Sequence, residues 1–474
     1  MVTAHPLAPA WLAVPDDAGD LAPRVWPATA RRDADGVLAV GGVRATELAE
    51  RFGTPVLVLD EQDVRDRADR TRRAFSAAAE RRGSAARVYY AGKAFLSVEV
   101  ARWMTDAGLN VDVCSRGELE TALAAGVAPD RIGFHGNNKS LSELERAIEV
   151  GVGTIIVDSA IEIERIGAIT SRTGSAQRVL VRVRSGVHAD THDFLATAHE
   201  DQKFGFALDE AERAVERIRE LPFVEFLGLH CHIGSQIFGV DGFRESASRV
   251  LELHARLLEG GPVPLMNLGG GFGIAYTRAD DPAEIEALAE GIVDAVADEC
   301  SARGIELPTL AFEPGRSIVG PAGITLYEVG TTKPVTVQAA GGSAERLYVA
   351  VDGGMSDNVR PALYGAQYSA RIASRVSDAD PALVRVVGMH CESGDIVVDN
   401  EFLPGDVASG DLVAVAATGA YSAAMASNYN HVPRPPVVAV RDGRARVILR
   451  GETIDDLLAR DAGLDAPVHH EGEE

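Results

Sequence analysis

Short apolar runs alternate with longer amphipathic stretches through the middle of the chain. Eight runs of strand-forming residues follow one another: RVYYA (87–91), NVDV (110–113), RIGFH (131–135), TIIVD (154–158), RVLVRV (178–183), EFLGLH (225–230), PLMNL (264–268) and TLAF (309–312). Between them, alanine, leucine and charged residues recur at three- and four-residue spacing, as in SVEVARWMTDAG, which is typical of helices. Eight strand–helix repeats over about 230 residues favour a closed (β/α)8 barrel, an α/β fold, over the runner-up, a doubly wound open sheet.

The pattern changes after residue 320. Segments such as GITLYEVG, RLYVAVDGG, VRVVGMHC, DLVAVA and PVVAV are β-like and are separated by Gly, Pro and Asp turn signals, which predicts a mostly antiparallel β-domain. VLAVGG and PVLVLD precede the barrel and could add strands to this domain. The predicted organisation is a flexible arm (1–34), N-terminal strands joining the β-domain (35–60), a barrel (61–320), the β-domain (321–455) and an acidic tail (456–474).

The composition and net charge of the chain exclude several classes of function. The chain has 474 residues, of which 46% are hydrophobic, enough for two domains with sizeable cores. A net charge of −24 argues against a general nucleic-acid binder, which needs a basic face. The four cysteines are widely spaced and suggest neither a zinc ribbon nor a disulfide framework. With no signal-peptide pattern and no apolar run long enough for a membrane span, we expect a reduced, cytoplasmic, soluble protein.

Polar side chains follow the predicted barrel strands at the end where barrel active sites lie. In strand order these residues are Lys93, Asp112, His135, Arg182, His230 with His232, the glycine turn GGGFG (269–273), and Glu313. Lys93 stands among apolar neighbours in YYAGKAF, and a desolvated lysine is a good nucleophile toward carbonyls. Taken alone, the same stretch favours a solvated surface lysine at a strand end, since most lysines are of this kind.

The glycine turn is a candidate phosphate cradle, because glycines let backbone N–H groups approach oxygens closely. Ser235 and the backbone at Gly315–Arg316 could complete it, and the turn lacks the GxGxxG spacing of a dinucleotide site. A metal at His230 and His232 is a weaker alternative, since no further ligands have the expected spacing. A Schiff-base lysine, a phosphate cradle and an acid for a ring nitrogen together predict pyridoxal 5'-phosphate, with Lys93, GGGFG and Glu313 in those roles.

Several longer motifs carry a family resemblance. YYAGKAF, VDVCSRGELE, HGNNK, GLHCHIGSQ, NLGGGFG, EPGRSIV, DGGMSDNVRPALYGA, CESGD and GAYSAAMASNYN occur in this order between about residues 35 and 450. This set is similar to that of the bacterial diaminopimelate decarboxylases. They belong to the fold-type III pyridoxal-phosphate enzymes, together with ornithine and arginine decarboxylases and, more distantly, alanine racemase.

The resemblance implies a site for the cofactor. Lys93 would form the Schiff base, His232 would stack on the cofactor ring, and Glu313 would pair with the pyridine nitrogen. Asp112 would lie near the lysine, and Arg182 would buttress the site. The residues implied for the phosphate are Ser235, Gly271, Gly315 and Arg316, with Tyr421 nearby.

The resemblance also implies a substrate site and a reaction. Arg316, Arg360 and Tyr364 would bind substrate carboxylates next to Tyr421, Glu392 would bind the distal ammonium, and Cys391 would return a proton. Cys391 and Glu392 would come from the partner subunit of a homodimer. The implied reaction converts meso-2,6-diaminopimelate to L-lysine and CO2, the last step of lysine biosynthesis.

Read without the family, these late motifs leave alternatives open. NVRPALYG is expected in a turn, where Arg360 suits a carboxylate but could equally be a surface residue, and Tyr364 could be a core residue. Three other functions remain: a decarboxylase of ornithine, arginine or another basic amino acid, a racemase, and an inactive binding protein on the same fold. A Schiff-base absorption band that depends on Lys93 would exclude the last.

Overall fold

The computed structural model describes residues 5–187, 203–339 and 342–464. The first elements are a small antiparallel sheet, one helix and a strand that joins the later β-domain: β1 (Arg31–Arg32), β2 (Leu38–Val40), β3 (Val43–Arg44), α1 (Ala45–Phe52) and β4 (Val56–Asp60). Residues 188–202 and the last ten residues of the predicted acidic tail lie outside the described residues. In the part that is described, no helix combines the length and apolar character needed to cross a bilayer.

The predicted N-terminal arm packs against the body of the protein, so the expectation that it is loosely held is wrong. Val25 and Trp26 are each 1% exposed and belong to a core cluster shared with the β-domain. The Arg32 guanidinium donates a hydrogen bond to the carbonyl oxygen of Ile372 at 3.1 Å. Burial of a side chain as large as tryptophan contributes about 2 kcal/mol or more, and it adds to the burial of Val25 and the Arg32 hydrogen bonds in opposing the entropy cost of ordering the segment.

The central region alternates strands and helices. Its elements are α2 (Glu61–Arg81), β5 (Ala86–Ala91), α3 (Val98–Asp106), β6 (Asn110–Val113), α4 (Arg116–Ala124), β7 (Ile132–Phe134), α5 (Leu141–Val150), β8 (Thr154–Val157), α6 (Ala160–Thr173), β9 (Gln177–Arg184), β10 (Phe206–Ala207), α7 (Leu208–Arg219), β11 (Val224–His230), α8 (Asp241–Leu258), β12 (Leu265–Asn267), α9 (Ile285–Arg303), β13 (Thr309–Phe312) and α10 (Arg316–Val319). Each of the eight predicted apolar runs is a strand here.

These strands close into the predicted barrel. The parallel order is β5-β6-β7-β8-β9-β11-β12-β13, and β13 pairs back onto β5, with Leu310 opposite Ala86. One layer of side chains fills the interior: Tyr89, Ile156, Leu180, Leu227, Leu265 and Ala311. The outward-facing strand residues pack under the ring of helices. Because all eight strands are parallel, their carboxyl ends form a single rim.

The C-terminal elements are β14 (Gly323–Ala339), β15 (Gly342–Val351), α11 (Arg360–Tyr364), β16 (Ala370–Ile372), β17 (Pro381–Val387), β18 (Ile396–Pro404), β19 (Leu412–Ala416), β20 (Val437–Arg441), β21 (Arg444–Leu449) and α12 (Ile454–Leu458). The main sheet runs β18-β17-β15-β14-β4-β20-β21, with β19 on β14 and β16 on β19. Most pairs are antiparallel, and β15–β17 and β20–β4 are parallel.

The chain enters the β-domain before it enters the barrel. β4, the PVLVLD segment, lies between β14 and β20, and Val58 is opposite both Ile324 and Val438. VLAVGG instead forms β2 of the small sheet. The strand β4 leads directly into α2, with the Asp60 carboxylate accepting from the Asp63 N–H at 3.1 Å. This shared strand ties the β-domain to the barrel.

Candidate active site

Lys93 lies at the carboxyl end of β5, in a single 3-10 turn, Gly92–Ala94. Its side chain is exposed, although the apolar neighbours in the sequence suggested a desolvated amine. Those neighbours, Ala94 and Phe95, turn into the core and are 0% and 3% exposed. A Cβ on Gly92 would lie 2.7 Å from the Asp112 carbonyl oxygen. The glycine therefore lets the turn pass close to the next strand while the amine points away from the core.

Three polar side chains converge on one oxygen of Glu313, the residue that follows β13. The Asn267 amide donates to Oε1 at 2.7 Å, and the Nε2 atoms of His230 and His135 lie 3.0 and 3.4 Å from the same oxygen. Oε2 has no hydrogen-bond partner among the described residues. One oxygen is thus held by the protein, and the other is available to a ligand.

The environment keeps Glu313 ionised. Burial alone would raise the pKa of the carboxyl, but the imidazoles of His230 and His135 hold it well below its usual range. Burial also lowers the pKa of each of these histidines to about 4, so both are neutral N–H donors at neutral pH. A buried carboxylate stabilised by donors on one oxygen presents negative charge through the other.

The pKa of Asp112 is shifted in the opposite direction from that of Glu313. Its carboxyl is buried at the end of β6, and His135 Nε2 lies 3.2 Å from Oδ1. Burial and the nearby charge of Glu313 raise its pKa well above the usual value, while Lys93 opposes the shift. A Cβ on Gly133 would lie 2.3 Å from Oδ1, so the space for this carboxyl depends on that glycine. Two neighbouring acids with pKa values pushed apart are a signature of a catalytic site.

His135, His230 and Glu313 have potential ligand atoms within 4.8 Å of one another, as a metal site would require. However, the Asn267 amide nitrogen donates to the same Glu313 oxygen at 2.7 Å. A hydrogen-bond donor directed at that oxygen opposes the binding of a cation to it. His232, the other half of the sequence-based metal hypothesis, lies at the glycine turn instead. The cluster therefore fits a hydrogen-bond network better than the ligand sphere of zinc.

The glycine turn after β12 forms a tight cradle. The Gly270 N–H donates to His232 Nδ1 at 3.3 Å, which holds the imidazole against the turn. Gly271 has a φ of 105°, and a Cβ there would lie 2.4 Å from the Gly234 carbonyl oxygen. Only glycine allows the turn to approach the β11 loop this closely. A glycine turn of this kind lets backbone N–H groups approach an anionic group closely.

Ser235, Arg316 and Tyr421 meet beside this cradle. Arg316 Nη2 donates to Ser235 Oγ at 2.9 Å, and its guanidinium carbon lies 4.7 Å from the centre of the Tyr421 ring. The Tyr421 N–H donates to the carbonyl oxygen of Ala94 at 2.8 Å, which brings the β-domain to the Lys93 turn. Tyr421 has a φ of 61°, a strained conformation for a non-glycine residue that is found most often at functional sites. A Cβ on Gly315 would lie 2.9 Å from the Ala91 carbonyl oxygen.

Arg360 lies at the start of the short helix α11, not in the turn that the sequence suggested. It is 7% exposed, and its Nη1 donates to the hydroxyls of Tyr276 and Tyr368 at 2.8 and 2.6 Å. Arg316 also donates to the Tyr276 hydroxyl. Tyr364, at the other end of α11, is 63% exposed. The structure thus brings Arg316 and Arg360 together and leaves Tyr364 on the surface.

Cys391 and Glu392 lie in an exposed loop between β17 and β18. The loop is held from below by Asp395, whose carboxylate accepts from the His390 and Met355 N–H groups at 2.7 and 2.6 Å. The His390 ring lies within hydrogen-bond distance of Ser356 and Asn430. These contacts explain why the DGGMSDN, CESGD and SNYN motifs occur together: they build one loop cluster that presents the thiol and the carboxylate to the outside.

Arg182 lies on β9 with its guanidinium carbon 4.2 Å from the centre of the Phe204 ring. Burial lowers its pKa, and the charges of Asp158 and Glu313 oppose the shift. Its side chain therefore connects β9 to Phe204, which lies shortly before β10.

Sequence reasoning overlooked the partners of these groups. His230 and His135 were considered only as strand-end residues or metal candidates, and the roles of Asn267, Tyr276 and Tyr368 were not predicted. Asn267 had a detectable signal, since it is a polar residue inside the apolar run PLMNL. Tyr276 and Tyr368 had none, because their partners are distant in the sequence.

The chain is similar to known proteins over most of its length. Residues 62–320 match the family model described as the pyridoxal binding domain of the pyridoxal-dependent decarboxylases. The diaminopimelate decarboxylase of Mycobacterium tuberculosis is 53% identical over 447 residues, covering 93% of this chain and 98% of that one. The Bacillus subtilis enzyme of the same name is 44% identical and covers 91% of this chain and 97% of that one.

Solved structures agree as well. A diaminopimelate decarboxylase from M. jannaschii in complex with L-lysine has a TM-score of 0.84 and 32% identity, covering 92% of this chain and 98% of that one. One from Helicobacter pylori, also with L-lysine, has a TM-score of 0.77 and 29% identity over 87% of this chain and 98% of that one. A barrel with an acid, a lysine and a glycine cradle on one rim, joined to a β-domain, defines a class of pyridoxal-dependent enzymes. Within that class, the chain belongs to the diaminopimelate decarboxylase family.

Proposed function

We propose that this protein catalyses the pyridoxal 5'-phosphate-dependent decarboxylation of meso-2,6-diaminopimelate to L-lysine and CO2. The observation that carries the proposal is the arrangement of Arg316 and Arg360 around one tyrosine hydroxyl, close to the cradle and Tyr421. A pair of arginines is suited to a second carboxylate, which diaminopimelate has and ornithine and arginine lack. The names of the relatives point to the same substrate.

The residues on the rim fit the cofactor. The glycine turn, Ser235 and the backbone at Gly315 would hold its phosphate, Lys93 would bind its aldehyde, and Glu313 would face its ring nitrogen. When bound, pyridoxal phosphate supplies a protonated ring that accepts the electron pair of a breaking bond at the substrate α-carbon. The free Oε2 of an ionised Glu313 is the group that keeps such a ring nitrogen protonated.

The protein's own residues would orient the substrate and manage the proton. The two arginines hold the distal carboxylate, so that the reacting carboxylate is placed in one orientation. His232, held by the Gly270 N–H, offers a flat surface beside the cradle. The Cys391 thiol is the proposed donor that returns a proton to the α-carbon after CO2 leaves, and Glu392 binds the distal ammonium.

The cysteine would act in the partner's site. Cys391 and Glu392 are exposed, and the loop that carries them is held by residues of the β-domain. Large apolar side chains around this loop and on the neighbouring helix α11 are also exposed: Leu363 (54%), Tyr364 (63%), Met389 (55%) and Tyr429 (41%). Apolar exposure of this kind marks a protein–protein interface. We therefore infer a homodimer in which each loop completes the other subunit's site.

Mixing two inactive variants tests this arrangement. Lys93→Ala and Cys391→Ala each leave little activity, but random exchange gives mixed dimers in half of the molecules, each with one intact site. A one-to-one mixture should therefore recover about a quarter of the wild-type activity. The double variant Lys93→Ala/Cys391→Ala mixed with Cys391→Ala is the control and should recover none. No recovery in the first mixture, with subunit exchange verified by mass spectrometry of the intact dimers, would place Cys391 in its own subunit's site.

The reaction itself is tested directly. The protein, supplied with pyridoxal phosphate, should release CO2 and L-lysine in equal amounts from meso-2,6-diaminopimelate, measured by coupled CO2 assay and chromatography. L-Ornithine and L-arginine, which lack the second carboxylate, should be turned over at least about a hundredfold less efficiently, since losing one charged partner costs about 3 kcal/mol. If the protein consumes ornithine or arginine in preference to diaminopimelate, the proposed substrate is wrong, while the proposed cofactor is unaffected. Epimerisation without CO2 would indicate a racemase.

A further inference from the structure

Tyr276, which follows the glycine turn, is a shared partner of two arginines. It is 6% exposed, and its hydroxyl accepts hydrogen bonds from Arg316 and from Arg360, the latter at 2.8 Å. Arg360 also donates to Tyr368, whose ring lies edge-on to that of Tyr276 with centroids 5.1 Å apart. Two cations from different domains therefore meet at one phenolic oxygen.

Arg360 is buried but lacks the anion that buried arginines usually have, and the half-buried Arg316 beside it lacks one as well. Neither Arg316 nor Arg360 forms an ion pair within the ranges that the structure describes. Arg371 in the same β-domain shows the ordinary case: it is 2% exposed, and its guanidinium lies 2.9 Å from the Glu401 carboxylate. Two guanidinium groups held close together repel each other, and an anion placed between them removes that cost. The pair is thus built to receive a negatively charged group from outside.

The hydrogen-bonding capacity of the Tyr276 hydroxyl shows how this residue could contact a ligand. A tyrosine oxygen has two lone pairs and one hydrogen. Both lone pairs of Tyr276 accept from the arginines, so its O–H hydrogen points away from them. No acceptor for that hydrogen is found in the described part of the chain. A carboxylate that binds to the two guanidinium groups is the acceptor this hydrogen would meet.

The geometry points to Tyr276 as a specificity-determining residue that donates its hydroxyl hydrogen to the second carboxylate of the substrate. Tyr368 acts differently: it is a positioning residue, because its contact is with Arg360 and through Arg360 with the ligand. This inference rests on the proposed function, since it assumes a diamino acid with two carboxylates. The cofactor phosphate is the other anion that these arginines could attract, and the test below separates the two sources.

The experiment compares two ligands that differ only in this carboxylate. L-Lysine keeps the distal carboxylate of diaminopimelate, and cadaverine lacks it. Affinities of the pyridoxal-phosphate-loaded protein for both are measured by calorimetric titration, for the wild type and for Tyr276→Phe, which keeps the ring and removes the hydroxyl. We expect the Kd for lysine to rise about ten- to a hundredfold, the range for a lost hydrogen bond to a charged group, and the Kd for cadaverine to stay within about twofold.

Two further readings make the result decisive. The Kd of the apoprotein for pyridoxal phosphate, followed by fluorescence, should be the same in Tyr276→Phe and in the wild type, and a large loss would assign the pair to the phosphate instead. Tyr368→Phe, the matched control, should raise the Kd for lysine less than Tyr276→Phe does. Equal weakening of lysine and cadaverine would show a merely structural role and overturn the inference. If the wild type releases no CO2 from meso-diaminopimelate, the proposed function is wrong. If the wild type does release CO2 but Tyr276→Phe binds lysine as tightly as the wild type, only the inference about Tyr276 is wrong.

Discussion

Replacing Lys93 by alanine should abolish both the reaction and the visible absorption of the bound cofactor. The amine at the end of β5 is the group proposed to bind the cofactor aldehyde covalently, and it is exposed at the rim, where an aldehyde can reach it. Without it, kcat for CO2 release should fall by roughly 10³-fold or more, since removal of a covalent partner disables the whole catalytic unit. Absorption spectroscopy and a coupled CO2 assay on the same preparation measure both effects.

Two controls distinguish the chemistry from the charge. Lys93→Arg keeps a cation at the same turn but cannot condense with an aldehyde, so it should be as inactive as Lys93→Ala. Lys333→Ala, a change of an exposed lysine on β14, should behave as the wild type. Borohydride reduction of the wild type followed by peptide mass spectrometry should place the cofactor on the peptide that contains Lys93. A cofactor label on another lysine, or an unchanged absorption band in Lys93→Ala, would refute the assignment.

The barrel could be predicted because its signals are local. Each apolar run, such as NVDV or TLAF, is itself a strand, and Ser97, Ser115 and Ser140 each cap the following helix by accepting the N–H three residues later. Parallel strands then require their ends to share one rim. Placing Lys93 and Glu313 on the same rim needed only the strand order, and for this reason the candidate site could be assembled from the sequence.

The remaining features depend on long-range contacts that no local pattern encodes. Trp26 belongs to an Ala-, Pro- and Asp-rich segment with no helix or strand periodicity, so its burial against the β-domain has no local signal. Tyr276 meets Arg360 across 84 positions of the sequence. The exposure of Lys93 was not predicted either. The apolar character of Ala94 and Phe95 indicates that these two residues are buried, but it does not indicate the direction in which Lys93 points. Side-chain partners of this kind require the assembled fold.

The second large effect is expected for Glu313→Gln. A carboxamide preserves the shape and can still accept from Asn267 and His230 through its oxygen, but it cannot carry the negative charge that faces the ring nitrogen. We expect kcat for CO2 release to fall by roughly 10²- to 10³-fold, the range for loss of one preorganised electrostatic partner, with a smaller change in KM. The melting temperature should change little, because the hydrogen-bond acceptor at Oε1 remains.

Asp112→Asn is the matched control, because it makes the same chemical change in the neighbouring acid. The pKa of Asp112 is raised well above its usual value and that of Glu313 is lowered well below it, so we expect the negative charge on Glu313 rather than on Asp112. A carboxamide at Asp112 should therefore remove less negative charge than one at Glu313, and we expect a loss of kcat of less than about tenfold. Steady-state kinetics of both variants at pH 7 and the absorption maximum of the bound cofactor provide the comparison. If Asp112→Asn were the more damaging substitution, the charged partner of the ring nitrogen would be Asp112, and the protonation states assigned to the two acids would have to be exchanged.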